Sequence, residues 1–195
     1  MPKPLGKDYF SRYGAHTPGY QNTDYSKSWR DYTFAVDEVL ETYRKHFGED
    51  PKTFLDIGAA DGRLLKRALR HGLKARGIEN SSYILDQIKD RKIRARIKKA
   101  DATKEIRALK AESYDIIVEC VAQYLSPTRR DGYLKKVTRA CSGMVCLLVD
   151  AKGYGGSRSG PHAGVRTYET KTWWKRKMLS IGFKKCQEDF YFFKR

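Results

Sequence analysis

The sequence predicts an α/β fold with a mostly parallel sheet, and three observations support this prediction. Residues 54–57 form a short apolar strand, followed by a glycine loop, a helix-spaced segment at 63–69 and a second strand that ends near Glu79. Residues 114–121 form an apolar run that is typical of a buried parallel strand. Near the carboxyl terminus, a helix-like segment at 169–181 precedes two alternating runs that predict an antiparallel hairpin.

Apolar periodicity and turn residues predict the remaining elements in order. They are a helix at 29–47, a helix at 82–89, a third strand at 93–99, a helix at 129–141 and a further strand at 144–149. Residues 1–28 are rich in tyrosine and lack a steady period, so they are predicted to form an irregular arm. Residues 29–195 are predicted to form a single domain, since a chain of 195 residues can bury about 70% of its unfolded surface in one core.

The glycine loop after the first strand is the main candidate for ligand binding. Gly58 and Gly62 permit positive φ and close backbone approach, so a ligand can touch bare backbone at the start of a helix. Glu79 lies about 20 residues further on, at the tip of the second strand, where a carboxylate can accept both hydroxyls of a ribose. Ala60 and Arg63 stand where the dinucleotide-binding pattern requires glycines. A tight turn without a ligand is the alternative interpretation.

The spacing of this loop, D-x-G-x-[GA]-x-G, resembles motif I of the class I S-adenosylmethionine-dependent methyltransferases. The terminal helix, Gly-Phe pair and hairpin are similar to the branch of that family that acts on small molecules, and the resemblance covers roughly residues 30–195. It implies a three-layer αβα sandwich with a seven-stranded, mostly parallel sheet and an antiparallel last strand. It also implies that S-adenosylmethionine is the cofactor and that the loop and Glu79 bind it, through Asp56, Gly58, Ala60, Gly62 and Glu79.

The same resemblance implies further cofactor contacts. An acidic residue after strand three commonly receives the adenine amino group in this family, with a neighbouring backbone amide on the ring. Asp101 and Ala102 stand at these positions, although Asp101 is equally suited to cap the next helix. Glu119, at the end of the fourth strand, is expected to face the same crevice.

The residues after the fourth strand do not identify the acceptor. They read E-C-V-A-Q-Y over 119–124, whereas amino-methyltransferases of nucleic acids often carry D-P-P-Y, and a Pro-Cys pair is expected of cytosine-C5 enzymes. Tyr124 is nevertheless a candidate to contact an acceptor. If the acceptor requires a base, Glu119 and His162 are the candidates.

A glycine-rich basic loop at 151–162 lies where this family places substrate-binding insertions. Arg158, His162 and Arg166 are candidates to hold an anionic acceptor. A solvated loop with incidental bases is the alternative interpretation.

Positive charge is the second informative feature of the sequence. The net charge is +17, and bases are concentrated at 63–76, 89–99 and 171–195. Such clusters attract phosphate-rich partners, so RNA is a predicted partner or acceptor beside a small molecule. A solvated surface is the alternative interpretation.

The sequence shows neither an apolar run of membrane-spanning length nor a signal peptide, so a cytoplasmic protein is the default expectation. The four cysteines lack C-x-x-C spacing, and neither a metal site nor a disulfide is expected. The predicted function is transfer of a methyl group from S-adenosylmethionine to an unidentified acceptor. The alternative is an inactive cofactor-binding scaffold that associates with RNA through its basic surface.

Overall fold

The computed structural model describes residues 25–149, 151–152, 165–188 and 190–195, and for residues 25–35 it describes the backbone alone. The helices in this part of the chain are α1 Tyr25–Phe47, α2 Arg63–Arg70, α3 Ser82–Asp86, α4 Arg91–Arg94, α5 Ala102–Ala108, α6 Pro127–Ala140 and α7 Lys171–Ser180. The strands are β1 Thr53–Ile57, β2 Lys74–Glu79, β3 Ile97–Lys99, β4 Tyr114–Glu119, β5 Cys141–Leu147, β6 Ala151–Lys152, β7 Glu169–Thr170, β8 Lys185–Gln187 and β9 Tyr191–Phe193.

Seven of these strands form one sheet in the order β3-β2-β1-β4-β5-β9-β8. The first five are parallel, and β9 runs antiparallel to β5 and to β8. The predicted seven-stranded, mostly parallel sheet with an antiparallel last strand is therefore confirmed. The short strands β6 and β7 form a separate parallel pair.

Two apolar layers cover the sheet. On one face the core includes Val39 and Leu40 of α1 and Leu65 of α2. On the other face it includes Ile106 of α5 and Leu134 of α6, together with side chains from α7. The three-layer αβα sandwich follows from this arrangement, since each helix buries one apolar stripe and leaves its polar side outside.

Several predicted boundaries were wrong. Helix α1 begins at Tyr25 rather than at 29, because polar residues at its start carry no apolar period. Strand β3 spans only Ile97–Lys99, because Asp90 Oδ1 accepts hydrogen bonds from the backbone N–H groups of Lys92 (3.0 Å) and Ile93 (3.3 Å) and starts α4.

The region between 141 and 170 also differs from the prediction. Strand β5 begins at Cys141, directly where α6 ends, rather than at 144. Ala151–Lys152 lies within the predicted irregular loop but pairs with Glu169–Thr170, so α7 starts at Lys171 rather than at 169. Thr170 caps this helix by accepting a hydrogen bond from the N–H of Trp173 at 3.2 Å. The predicted arm at 1–28 lies outside the described residues up to position 24.

Among the described residues, no helix combines the length and the apolar character needed to cross a membrane. The four cysteines are free thiols, as predicted.

Gly143 in β5 sets how closely α1 packs against the sheet. A Cβ atom at this position would lie 2.7 Å from Cε2 of Tyr43 and 2.8 Å from the backbone oxygen of Asp115. We expect Gly143→Ala to destabilise the protein by about 1–3 kcal/mol through overpacking, measured by denaturant unfolding. Gly132→Ala is the control, because nothing lies within 4 Å of a Cβ there and alanine in a helix should stabilise by about 0.5–1 kcal/mol. Equal effects of the two substitutions would contradict this account.

Candidate functional site

The candidate site lies at the carboxyl ends of β1, β2 and β4, which are neighbours in the sheet. Ile57 pairs with Ile78 of β2 on one side and with Glu119 of β4 on the other. Asp56, Glu79 and Glu119 are therefore brought to one edge of the sheet from three strands, as the sequence predicted. In open α/β sheets this edge is where ligands bind.

The glycine loop connects β1 to α2 through a run of left-handed residues. Gly58, Ala60 and Gly62 have φ values of 85°, 45° and 76°. The N–H groups of Gly58 and Ala59 donate to the oxygen of Ile78 at 2.8 and 3.1 Å, which ties the loop to β2.

Protein neighbours, and not a ligand alone, require the two glycines. A Cβ at Gly58 would collide with Sγ of Cys120, and a Cβ at Gly62 would lie 2.6 Å from Ile93 and 2.7 Å from Ile97. The sequence assigned Gly58 to the approach of a ligand, and the structure adds this second constraint.

Glu79 fixes the geometry at the end of β2. Its Oε1 accepts hydrogen bonds from the N–H groups of Asn80 and Ser81, both at 2.8 Å, and its Oε2 accepts one from Ala60 at 3.0 Å. The residue is only 8% exposed, and this burial raises the pKa of its carboxyl, while the three N–H groups oppose the rise. The same carboxylate thus connects the glycine loop to the turn after β2.

Asp56 is a buried carboxyl without a counter-charge. It is 2% exposed, and its Oδ2 has no hydrogen-bond partner. Burial raises its pKa to about 8, and the neighbouring carboxylates of Glu79 and Asp61 raise it further. Asp61 follows in the loop, where burial raises its pKa to about 6 although it forms an ion pair with Arg63.

Glu119 is fully buried at the end of β4. Its Oε1 accepts hydrogen bonds from the N–H groups of Val121 (2.7 Å) and Ala122 (2.8 Å) and from the hydroxyl of Tyr133 (2.9 Å). Its Oε2 has no partner, and burial raises its pKa to about 7. This side chain holds the turn after β4 in place and presents no surface to an acceptor.

Asp101 follows β3 and caps α5. Its Oδ1 accepts hydrogen bonds from the N–H and the hydroxyl of Thr103, both at 2.7 Å. Burial alone would raise its pKa, but the Thr103 bonds and the charge of Arg129 lower it below its usual value. The capping role is present, and Oδ2 keeps lone pairs for a second partner. Ala102, its neighbour, is the first residue of α5.

The structure places two of the predicted acceptor contacts together. Gln123 lies in a short 3-10 turn, Ala122–Tyr124, and its backbone oxygen accepts hydrogen bonds from the N–H groups of Arg166 (2.8 Å) and Thr167 (2.9 Å). Tyr124 and Arg166 therefore belong to adjoining segments. Arg158 and His162 lie outside the described residues.

The sequence gave no signal for the residues that anchor the 165–168 segment. Arg130 of α6 is buried and donates to the hydroxyl of Thr167 at 3.0 Å. Its guanidinium also lies 4.6 Å from the ring centroid of Trp173 in α7. These residues are far apart in the chain, so only the fold brings them together.

One assumption about the basic clusters requires correction. The 89–99 cluster was expected to lie away from the glycine loop, but Ile93 and Ile97 pack directly beneath Gly62. Lys92, Arg94, Arg96 and Lys98 flank these two isoleucines. Substitutions of the four bases would therefore disturb the loop as well as the surface charge.

The carboxyls at this edge suit an organic cation better than a metal ion. In the part of the chain that the structure describes, no group of three or more His, Cys, Asp or Glu residues is arranged to hold a metal. The positive-φ glycine loop offers backbone to a ligand beside several carboxyls, two of which have a buried oxygen without a partner.

Comparisons with known proteins agree with this geometry. Residues 54–142 match the family described as Methyltransferase domain, whereas no curated protein matches the chain in sequence. The plantazolicin methyltransferase BamL, solved with a triazolic desmethylPZN analogue and SAH, is 16% identical, with 90% of this chain and 70% of that chain covered and a TM-score of 0.64.

Two further solved structures share the fold. PH0226 from Pyrococcus horikoshii OT3 is 14% identical over 93% of this chain and 96% of that chain, with a TM-score of 0.63. The [4+2]-cyclase SpnF is 18% identical over 76% of this chain, with a TM-score of 0.55, and the present chain spans only 57% of its length. At such identities the likeness concerns the fold, and the family match concerns the segment that contains the glycine loop, Glu79 and Glu119. The chain belongs to the class I S-adenosylmethionine-dependent methyltransferases.

Proposed function

We propose that the glycine loop and the strand ends around it hold S-adenosylmethionine, and that the chain transfers the methyl group to an acceptor bound beside Tyr124 and Arg166. The observation that carries this proposal is the set of buried carboxyls at Asp56, Glu79 and Glu119 on a chain of net charge +17. A cationic ligand would supply the counter-charge that the protein withholds there.

Individual atoms support specific contacts. Oε2 of Glu79 accepts one hydrogen bond where Oε1 accepts two, so it retains a lone pair for a ribose hydroxyl. Asp101 accepts both of its bonds at Oδ1, which leaves Oδ2 for the adenine amino group, with the N–H of Ala102 next to it. Gly58, Ala60 and Gly62 would shape the loop backbone around the remainder of the ligand.

The chemistry asks little of the side chains. A bound sulfonium supplies an activated methyl group, so the protein has to align the acceptor in line with it and exclude water. We propose that Glu119 acts as a positioning residue, because it holds the N–H groups of Val121 and Ala122 and thereby the turn that carries Tyr124. His162 stays a prediction for a base.

The acceptor proposal rests on the segment that follows the 3-10 turn. Arg166 is exposed, and its backbone is held on Gln123 while Arg130 holds its neighbour Thr167. An exposed guanidinium beside a half-buried tyrosine suits a planar or anionic small molecule. Arg158 is proposed, on its place in the sequence alone, to serve the same acceptor.

The substitution Glu79→Gln tests the cofactor contact. It keeps the shape of the side chain but removes its charge and replaces one acceptor oxygen with a donor. We expect affinity for S-adenosylmethionine to fall about tenfold to a hundredfold, measured by calorimetry, through loss of a charge-assisted hydrogen bond worth about 1.5–3 kcal/mol. Glu105→Gln, which removes a carboxylate paired with Lys98, is the matched control and should bind normally. Equal dissociation constants for wild type and Glu79→Gln would refute the ribose assignment.

A second candidate function is association with RNA, and a specific observation favours it. Helices α5, α6 and α7 lie on one face of the sheet and carry eleven Lys and Arg residues against two acids. We call this surface the α5–α7 face. The phosphates of a nucleic-acid backbone are the ligand class that such a surface would attract. The fold alone does not establish methyl transfer, since SpnF is named for a different reaction, so an inactive scaffold on RNA is the alternative.

Salt dependence tests the RNA proposal. The variant with Lys135, Lys175 and Arg176 changed to Glu alters three exposed bases of the α5–α7 face. If these bases contact phosphates of a single strand, the slope of log affinity against log salt should decrease in magnitude by about 2, since each neutralised phosphate contributes about −0.7.

The matched control reverses three exposed bases on the other side of the sheet, Arg70, Lys89 and Arg91, with the same change in net charge. This control should leave the slope largely unchanged. If the control flattens the slope and the first variant does not, the assignment to the α5–α7 face is wrong. Absence of RNA retention by the wild type at low salt would reject the RNA proposal altogether.

A further inference from the structure

The cofactor edge of the sheet contains two buried carboxyl oxygens that nothing in the protein satisfies. They are Oδ2 of Asp56 on β1 and Oε2 of Glu119 on β4, in residues that are 2% and 0% exposed. Buried polar atoms without a partner are rare in folded proteins, because their desolvation is not compensated. Two of them on adjacent strands at the edge proposed to bind the cofactor point to a ligand with complementary charge.

The groups that surround Asp56 add negative charge. Glu79 on β2 and Asp61 in the loop both act on it, and the base nearest to Asp61 in the chain, Arg63, is paired with Asp61 itself. The thiols of Cys120, after β4, and of Cys146, on β5, complete its titratable surroundings, since each is influenced by Asp56.

Cys120 lies among the same carboxyls. The pKa of its thiol is raised well above the usual value, mainly by burial and then by Glu119, Asp56 and Glu79. Three carboxyls from three strands thus act on one point beside Gly58. No positive group appears among the causes that shift Asp56, Glu119 or Cys120 in this part of the structure.

We propose that Asp56, assisted by Glu119, makes this site selective for the positively charged sulfonium cofactor over its neutral thioether product. This inference rests on the proposed function, and it assigns to these two residues the recognition of charge rather than of shape. The two ligands differ by a methyl group and one positive charge, so a site that only recognised shape would separate them weakly.

Protonation is the physical basis of the selectivity. The pKa of Asp56 is about 8, so its carboxyl holds a proton near neutral pH when no cation is near. An opposite charge within about 4–6 Å lowers a carboxyl pKa by about 1–3 units, and the proton then leaves to solvent. Asp56 becomes a carboxylate only when a positive charge replaces the proton.

The same exchange would assist product release. During methyl transfer the S–CH₃ bond breaks, the sulfur keeps the bonding electron pair and becomes a neutral thioether, and the methyl carbon bonds to the acceptor. Asp56 then loses its counter-charge and takes up a proton from solvent. The product is held less tightly than the cofactor, which favours its departure.

The experiment is calorimetric titration of wild-type protein with S-adenosylmethionine and, separately, S-adenosylhomocysteine between about pH 6 and pH 9, in two buffers of different ionisation enthalpy. We expect the sulfonium to bind with net proton release. Its affinity should rise with pH, at most tenfold per pH unit for one proton, until pH exceeds the pKa of Asp56. The thioether should release fewer protons, so the ratio of the two dissociation constants should grow as pH rises.

Asp56→Asn removes the titrating group with little change in shape. We expect it to bring the two dissociation constants closer together and to abolish most of the proton release. Asp101→Asn is the matched control, because the pKa of Asp101 is below its usual value and this carboxyl is already ionised. It should weaken both ligands similarly and leave proton release intact.

The outcomes are distinct. Binding of both ligands with the same proton release and the same pH dependence would overturn the charge selectivity while leaving the proposed function in place. Binding of neither ligand to the wild type would overturn both. If Asp56→Asn fails to fold, the comparison of the two ligands on the wild type in two buffers still decides the question.

Discussion

The carboxylate of Glu79 is the interaction on which the site depends. It accepts N–H groups from Ala60, Asn80 and Ser81, so one side chain fixes both the glycine loop after β1 and the turn after β2. The loop has few alternatives, because Gly58 packs against Cys120 and its N–H bonds to Ile78. The cofactor edge is therefore organised by protein contacts before any ligand arrives, which is how a preorganised site limits the entropy cost of binding.

Charge is separated in this molecule with opposite signs inside and outside. Lysines and arginines lie on the outer sides of the helices, most densely on the α5–α7 face, while carboxyls without counter-charges lie at the strand ends. Burying unpaired carboxyls costs free energy, so their presence at one edge indicates a function for that edge. The positive exterior and the negative cleft would attract different partners, a polyanion and a small cation.

Local sequence was sufficient for the frame of the fold and for much of the site. The loop at 56–62, Glu79 and the dual role of Asp101 follow from spacing, because strand, loop and helix are neighbours along the chain. Distant contacts could not be predicted in this way. Cys120 against Gly58, Ile93 and Ile97 beneath Gly62, and Arg130 on Thr167 arise only when separate segments pack together. The third strand was predicted too long because a capping aspartate converted its beginning into helix.

The central claim is that the carboxyl-lined edge of the sheet selects a cationic adenosyl cofactor. Native mass spectrometry of the purified chain, incubated with equal concentrations of S-adenosylmethionine, S-adenosylhomocysteine and NAD, tests this claim most directly. The account predicts complexes with the two adenosyl ligands, with the sulfonium form the more abundant at mildly alkaline pH, and no complex with NAD. Retention of NAD, or equal unselective adducts with all three ligands, would contradict it.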